Sequence, residues 1–537
     1  MTTTDSSAAR QDRLRRHWYD AGWFGSRTVV DTFREGARLH GETPVVFITD
    51  RTAVTTNVRQ LHDAAQRAAA GLQGLGVRPG DVVAVQLTNR IECAVAYQAV
   101  LLCGGVLAPI VHVYGPHEVG FILAESQAKA LVMPSRFRTT DYLGRIEAYL
   151  RINTLENVVV VDGDDDADYV SWNHIASANA DLLPANPDSD DVCVLLYTSG
   201  TTSAPKGVQH SHNSLLAEQR TLPHVIASRS DDRQLVTFPP GHAAGVGSML
   251  RPSLSGLRSV FLDGWDADHA ADVIEQYAIT STAGAPFHLD ALLGVAGKYR
   301  RISTLREFLV GAAGVSEELG RRAQAVGINS YRCYGLTEHP TVSAGRFDDP
   351  EISRLTTDGR PLPGSAVRII TSGGDDAPAG SQGEVVVRGP DQFIGYRDPA
   401  LDADVFTVDD WFRTGDLGYL DPDGRLVITD RMKDVIIRGG ETISSAQVED
   451  VLQAHPLVVE AAAVPVAHPR YGDVVGAVVV LQDGVTIDLA DIRAHFAAAG
   501  LAKQKTPERL AFVEALPRTP LGKVRKADLR GIHFVGE

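Results

Sequence analysis

A chain of 537 residues is too long for one ordinary domain, and its length predicts two to four folded units. With 44% hydrophobic and 22% charged residues it has the composition of a globular protein in water. A formal net charge of −16 disfavours nucleic acid as a main partner, because a phosphate backbone requires a basic surface, but it allows small anions held by local positive charge.

The opening segment MTTTDSSAARQDRLRRHWYD has no apolar run of the secretory kind, and Asp5, Asp12 and Asp20 argue against a transit peptide. Up to about residue 190, helix-like and strand-like segments alternate. NVRQLHDAAQRAAAGLQGLG reads as an alanine-rich helix that Gly76 can end. DVVAVQL reads as a strand, IECAVAYQAVLLC as a helix, and VLAPIV, KALVMP and ENVVVVD as further strands. This alternation predicts an α/β sheet, mostly parallel. The longest apolar stretch, Cys93 to Val113, is broken by Gly104, Gly105 and Pro109, so it reads as core rather than a membrane span. In the acidic run Asp162 to Asp168, Asn173 stands where a calcium loop needs glutamate, and a solvated turn is expected. Cys93, Cys103, Cys193 and Cys333 form no C-x-x-C pair and read as buried thiols in a reducing, cytoplasmic compartment.

After the apolar strand VCVLLYT comes YTSGTTSAPKG, Tyr197 to Gly207. Glycines that let backbone N–H groups approach, hydroxyl donors and one lysine suit an anion with several oxygens. The order Lys206-Gly207 does not fit the Walker A spacing, and VQHSH alternates like a strand, so the loop is expected to join two strands. A helix is expected at SHNSLLAEQ, capped by Ser211 or Asn213. From about 360, GEVVVRG and YLDPDGRLVITDRMKDVIIRGG read as short strands with tight turns. QVEDVLQAHP, AAAVPVAH, GAVVVLQDG, DIRAHFAAAG and RLAFVEALP then form an α+β pattern. The expected division is 1–430 and 431–537, with the boundary near Arg431 to Lys433.

YTSGTT-x-x-PKG, YGLTE (Tyr334 to Glu338), RTGD before Leu417, DR-x-K-D and P-x-x-x-x-GK lie in one order along nearly the whole chain. In that order and spacing the chain resembles the adenylate-forming superfamily, most closely its acyl-CoA synthetases. The resemblance implies a large N-terminal domain of α/β subdomains with a β-rich region, and a small mobile α+β C-terminal domain. It implies ATP-dependent activation of a fatty or alicyclic acid to an acyl adenylate, followed by transfer to coenzyme A. By the same resemblance Thr198, Ser199, Gly200, Thr201, Thr202 and Lys206 would hold the β- and γ-phosphates. Tyr334 would stack on adenine opposite Gly311, Ala312 and Ala313, with Gly335 beside it. Thr337 would touch the α-phosphate, and Glu338 with Thr198 would hold Mg²⁺. Asp416 and Arg431 would bind ribose, and Lys523 would bridge the substrate carboxylate and the α-phosphate. His242, Gly335 and His339 are expected at the acyl pocket, Gly439 and Gly440 at the coenzyme A channel, and Lys433 at a hinge.

Three departures from the family pattern stand out. Ser203 replaces a glycine, and Thr442, Ser445 and Gln447 replace Asn, Pro and Glu after Gly440. In PPGHAAG, Gly241 and the alanines suggest a roomy mouth to the acyl pocket. The departures after Gly440 keep open an acyl-AMP ligase that loads an acyl carrier protein. A non-catalytic nucleotide binder is the reading from another class, and it gives Lys523 no use. No aspartate stands near His242 to pair a substrate ammonium, which argues against amino acids. A homodimer is left open.

Overall fold

In the structure, a computed structural model, the described residues are 7–179, 181–198, 205–296, 301–311, 315–438, 441–519 and 522–534. Helix Val58–Gly74 starts at Asn57, whose side chain accepts from the Gln60 N–H, and it ends just before Gly76, whose φ of +91° suits glycine. The strands Val82–Val85 and Ala130–Pro134 are buried along their whole length, which is why they read as unbroken apolar runs. They lie parallel in an eight-stranded sheet that runs Gly395–Tyr396, Gly207–Ser211, Val192–Tyr197, Val106–Pro109, Val82–Val85, Ala130–Pro134, Asn157–Val161, Val170–Ser171. At one edge the pairing turns antiparallel, where Val192–Tyr197 meets Gly207–Ser211 and the latter meets Gly395–Tyr396.

A nine-stranded sheet carries the middle of the chain, and its strand Pro44–Thr49 joins from the N-terminal part by pairing with Arg258–Leu262. Its far edge holds Asn329–Leu336 and His339–Ala344, an antiparallel pair with a register shift between Tyr334 and Leu336. Four antiparallel strands, Ala366–Ile370, Gly383–Arg388, Phe412–Leu420 and Leu426–Arg431, form the β-rich region. The last sheet begins at Ile436–Arg438 and packs helices Ser445–Gln453 and Leu489–Ala498 around a core of Ile436, Leu452, Val475 and Phe496. Between these two sheets the chain makes a turn in which the Asp434 N–H donates to the Arg431 carbonyl, and Lys433 sits in that turn, exposed. Ser445 ties the two sides together. Its N–H and its hydroxyl donate to the buried Asp430 carboxylate at 2.6 and 3.0 Å, and proline at this position could not donate the first of these.

No helix among the described residues is long and apolar enough to cross a membrane. The four cysteines are all free thiols.

Candidate active site

The phosphate-loop candidate is pinched at its neck. The Thr198 N–H donates to the Lys206 carbonyl at 3.1 Å, and the Lys206 N–H donates to Thr198 Oγ1 at 3.3 Å. Ser199, Gly200, Thr201, Thr202 and Ser203 lie outside the described residues. The neck joins two antiparallel strands, and Ser211 caps the helix His212–Thr221 that follows. Lys206 Nζ stands 4.9 Å from the centre of the Tyr396 ring. The Tyr396 hydroxyl donates to Glu338 Oε1 at 2.7 Å.

Glu338 is buried, and burial raises its carboxyl above the ordinary value against the lowering pull of Tyr396 and Lys206. A carboxylate that burial makes costly and the Thr198 hydroxyl are hard oxygen donors of the kind that fit Mg²⁺, while Lys206 offers its charge to phosphate instead. Among the described residues no group of three or more His, Cys, Asp or Glu could hold a metal by itself.

The ribose candidates are a cross-strand pair. Asp416 and Arg431 face each other in register on adjacent strands, and Arg431 Nε lies 3.0 Å from Asp416 Oδ1. The Tyr334 hydroxyl donates to Asp416 Oδ2 at 2.6 Å, which fixes where the phenol end of the ring points. Gly311 lies against Cys333, where a Cβ would stand 2.7 Å from Sγ; Ala312 and Ala313 lie outside the described residues. Gly335 is exposed at the strand irregularity, and a Cβ there would stand 2.0 Å from the Pro340 carbonyl oxygen, so only glycine fits. The Thr337 carbonyl accepts from His210 Nε2 at 2.8 Å, and burial keeps His210 below its ordinary pKa.

Asp416→Ala should raise the ATP concentration needed for half-maximal pyrophosphate release by roughly 10- to 100-fold, because a hydrogen bond to a charged group is worth about 1.5–3 kcal/mol. Steady-state rates against ATP, with the acid saturating, measure this; an unchanged ATP dependence leaves Asp416 as a turn residue only.

Lys523 is delivered to the same place from the C-terminal sheet. The tight turn that carries it closes with Thr519 N–H on the Lys523 carbonyl at 2.7 Å. Gly522, at φ +80°, lies against Phe287, where a Cβ would stand 2.4 Å from the ring. Burial and then the Arg431 charge lower the Lys523 amine to about 8, partly offset by Asp416 and Glu338. Gly522→Ala should therefore push this turn off Phe287 and slow adenylation at least ~10-fold through positive φ and ring overlap. Thioester formation from supplied acyl adenylate should hold, and equal loss in both assays would show that the turn does not dock for the first step alone.

His242 precedes helix Ala243–Ser255. Burial, with the Lys523 charge next, lowers it to about 3, so it stays neutral, and its Nε2 is buried with no hydrogen-bond partner among the described residues.

Two expectations need correction. His339 does not line an acyl pocket: it is fully buried, with Nε2 2.9 Å from Asp391 Oδ1 and 3.1 Å from Ser365 Oγ. Gly241 does not widen the mouth of the pocket either. A Cβ there would stand 2.4 Å from the Val111 nitrogen, so its glycine serves close packing of two backbones. Gly439 and Gly440 lie outside the described residues.

Sequence reasoning missed Tyr396, His210 and Phe287. Tyr396 could have been suspected from FIGYRD, an aromatic next to a glycine.

The model of the AMP-binding enzyme family matches residues 33–397, and that of the AMP-binding enzyme C-terminal domain matches 447–523. The chain is 32% identical to the medium-chain fatty-acid–CoA ligase of Escherichia coli strain K12 over 97% of its own length and 93% of that protein. It is 31% identical to the salicyl-AMP ligase/salicyl-S-ArCP synthetase of Mycobacterium tuberculosis over 94% of its own length and 91% of that protein. Among solved structures, ATP-bound MatB from Rhodopseudomonas palustris superposes with a TM-score of 0.84 at 28% identity, covering 95% of this chain and 99% of that one. O-succinylbenzoate coenzyme A synthetase from Bacillus subtilis, in complex with ATP and magnesium ion, superposes with a TM-score of 0.81 at 25% identity, covering 94% and 100%.

Proposed function

The chain belongs to the AMP-binding enzyme family and is an acid–thiol ligase, and on that footing we propose that it activates a fatty, alicyclic or aromatic acid without an α-ammonium group and hands it to coenzyme A. A carboxylate is a poor electrophile, because attack on its carbon would have to expel oxide. Attack of the carboxylate oxygen on the α-phosphorus of ATP instead forms an acyl adenylate and breaks the bond to pyrophosphate. The thiol then displaces AMP. The first step gathers anionic oxygens, so what the chain must supply is position and opposing charge.

The residues divide that work. Lys206 and the Thr198–Thr202 loop steer the departing pyrophosphate. Asp416, Arg431 and Tyr334 fix ribose and adenine. Thr337, held by His210, faces the α-phosphate. Lys523 joins the substrate carboxylate to the α-phosphate, beside the neutral His242. Glu338 and the Thr198 hydroxyl would hold Mg²⁺, which would supply positive charge against the phosphate oxygens. We take 1–430 and 431–537 as the two domains and Lys433 as the hinge: Lys523 must leave before a thiol can approach from its side. The four free thiols suit a reducing compartment, and we place the reaction in the cytoplasm on that ground.

The observation that carries this reading is Lys523 among Arg431, Asp416 and Glu338, with Gly522 seated on Phe287. A nucleotide binder that does no chemistry has no use for a buried amine brought in from a separate sheet.

Transfer to an acyl carrier protein is the second reading, favoured by Thr442, Ser445 and Gln447. Pyrophosphate release and thioester formation across a panel of acids, amino acids included, with and without coenzyme A, test both. Acyl-CoA from at least one acid is expected. Acyl adenylate that accumulates with every acid but never becomes acyl-CoA gives the carrier-protein reading its place. Fastest release with a free amino acid overturns the substrate class.

A further inference from the structure

Helix Ser445–Gln453 has no use for the side chain of its first residue. Ser444 caps it, with a hydroxyl that accepts from the Gln447 N–H at 3.2 Å. The Ser445 hydroxyl is buried and serves two other partners: it donates to the Asp430 carboxylate at 3.0 Å and accepts from Lys526 Nζ at 2.8 Å. The polarity is fixed at each link, because an ammonium only donates and a carboxylate only accepts. Lys526 Nζ also lies 2.7 Å from Glu449 of the same helix, so Ser445, Glu449 and Lys526 belong to one packed piece. Asp430 stands on the other side. It lies in the strand Leu426–Arg431, and its Oδ1 accepts from the Arg431 N–H at 2.7 Å. Lys526 comes three residues after Lys523, at most about 11 Å along the chain. That short stretch is not slack: besides the bond from Thr519 to Lys523, the Arg525 N–H donates to the Pro517 carbonyl at 2.8 Å.

We infer that Ser445 and Lys526 are positioning residues for adenylation: with Asp430 they tie the turn that carries Lys523 to the strand that carries Arg431, and the tie opens when the small domain turns to admit the thiol. This rests on the rotation about Lys433 proposed above. Asp430 precedes that residue, whereas Ser445 and Lys526 follow it, so the rotation parts them. Neither side is left stranded. Lys526 keeps Glu449, and water takes the place of Ser445 on Asp430. A hydrogen bond to a charged group shifts such a balance by roughly 10- to 100-fold, enough to favour one orientation without locking it. Ser445 and Lys526 act here only through Lys523. A misplacement of about 1 Å, caused far from the reacting atoms, is enough to slow such a step on the order of 10²-fold.

The test compares the two half-reactions in Ser445→Ala, which keeps the N–H that donates to Asp430 and removes the hydroxyl. The kcat for pyrophosphate release should fall about 10-fold or more. The ATP concentration for half-maximal rate should stay within about twofold, because Asp416 and Arg431 are untouched and only a transition-state contact is lost. Thioester formation from supplied acyl adenylate should hold or quicken. Asp430→Asn, which turns one acceptor into a donor facing Ser445, should give the same split, and it carries the comparison if a thermal melt shows Ser445→Ala unfolded. Lys526→Met combined with Glu449→Gln, which leaves no charge of that pair behind, should also slow the first step alone. Equal losses in both half-reactions, or no loss of pyrophosphate release, overturn the inference and leave the tie as packing. Lys523→Ala, run alongside, separates the two readings: a loss confined to adenylation there but not in the Ser445 variant strikes this inference and spares the rotation. Equal loss in both half-reactions of Lys523→Ala takes down the rotation and this inference together.

Discussion

Replacing Lys523 by alanine is expected to slow adenylation by a factor on the order of 10²–10³, the usual cost of removing one preorganised donor aimed at developing charge. The assay is pyrophosphate release with a saturating acid. Thioester formation from supplied acyl adenylate should survive, because by then the turn seated on Phe287 has left. Equal loss in both half-reactions contradicts a lysine that serves the first step only. The pH dependence carries the same information. Burial and Arg431 hold the amine near 8, below its ordinary value, so the cation is present below about pH 8 and is lost above it. The kcat/KM for ATP reports the free enzyme, and it should fall about tenfold per pH unit above that point. Lys523→Arg should shift this alkaline limb out of range, since a guanidinium stays protonated there. A flat profile to pH 9.5 in the unmutated enzyme contradicts the role given to the amine.

Glu338→Gln should lower adenylation by a similar factor, about 10²-fold or more. The amide keeps the shape and can still accept from Tyr396, so the fold should stand, but it no longer offers an anion to Mg²⁺. The distinguishing readout is the Mg²⁺ concentration for half-maximal rate, which should rise well beyond that of the unmutated enzyme. Tyr396→Phe removes only the group that orients Glu338, and it should cost about 10–100-fold, as losses of outer partners in metal sites do. A Glu338→Gln variant with normal Mg²⁺ dependence would falsify the metal assignment and leave Glu338 as a buried acid that holds Tyr396.

Much of this chemistry is legible because it sits in short contiguous segments. Thr198, Lys206, Thr337, Glu338, Asp416, Arg431 and Lys523 each fall within a stretch of about a dozen residues whose order along the chain carries the resemblance. The strands were legible for a related reason: the burial of Val82–Val85 and Ala130–Pro134 on both faces leaves runs that nothing else in a globular chain requires. His339 was misread for want of partners. In sequence it is one residue from Glu338, but Asp391 and Ser365, which engage it in the interior, come from later segments.

By itself, then, the sequence determined the class of chemistry, the α/β start and the β-rich region, and it marked Lys523 near the C-terminus as the amine to test. Periodicity, turn residues and contiguous motifs are local, and local information suffices for those. The tertiary structure decided which distant residues support them. Strand Gly395–Tyr396 pairs with Gly207–Ser211, which brings Tyr396 between Lys206 and Glu338. Helix packing brings Gln219 of one helix against Gly247 of another. Gly522 meets Phe287 across two sheets that share no strand. Such contacts depend on strand order and close approach between segments far apart in the chain, and no local pattern encodes either.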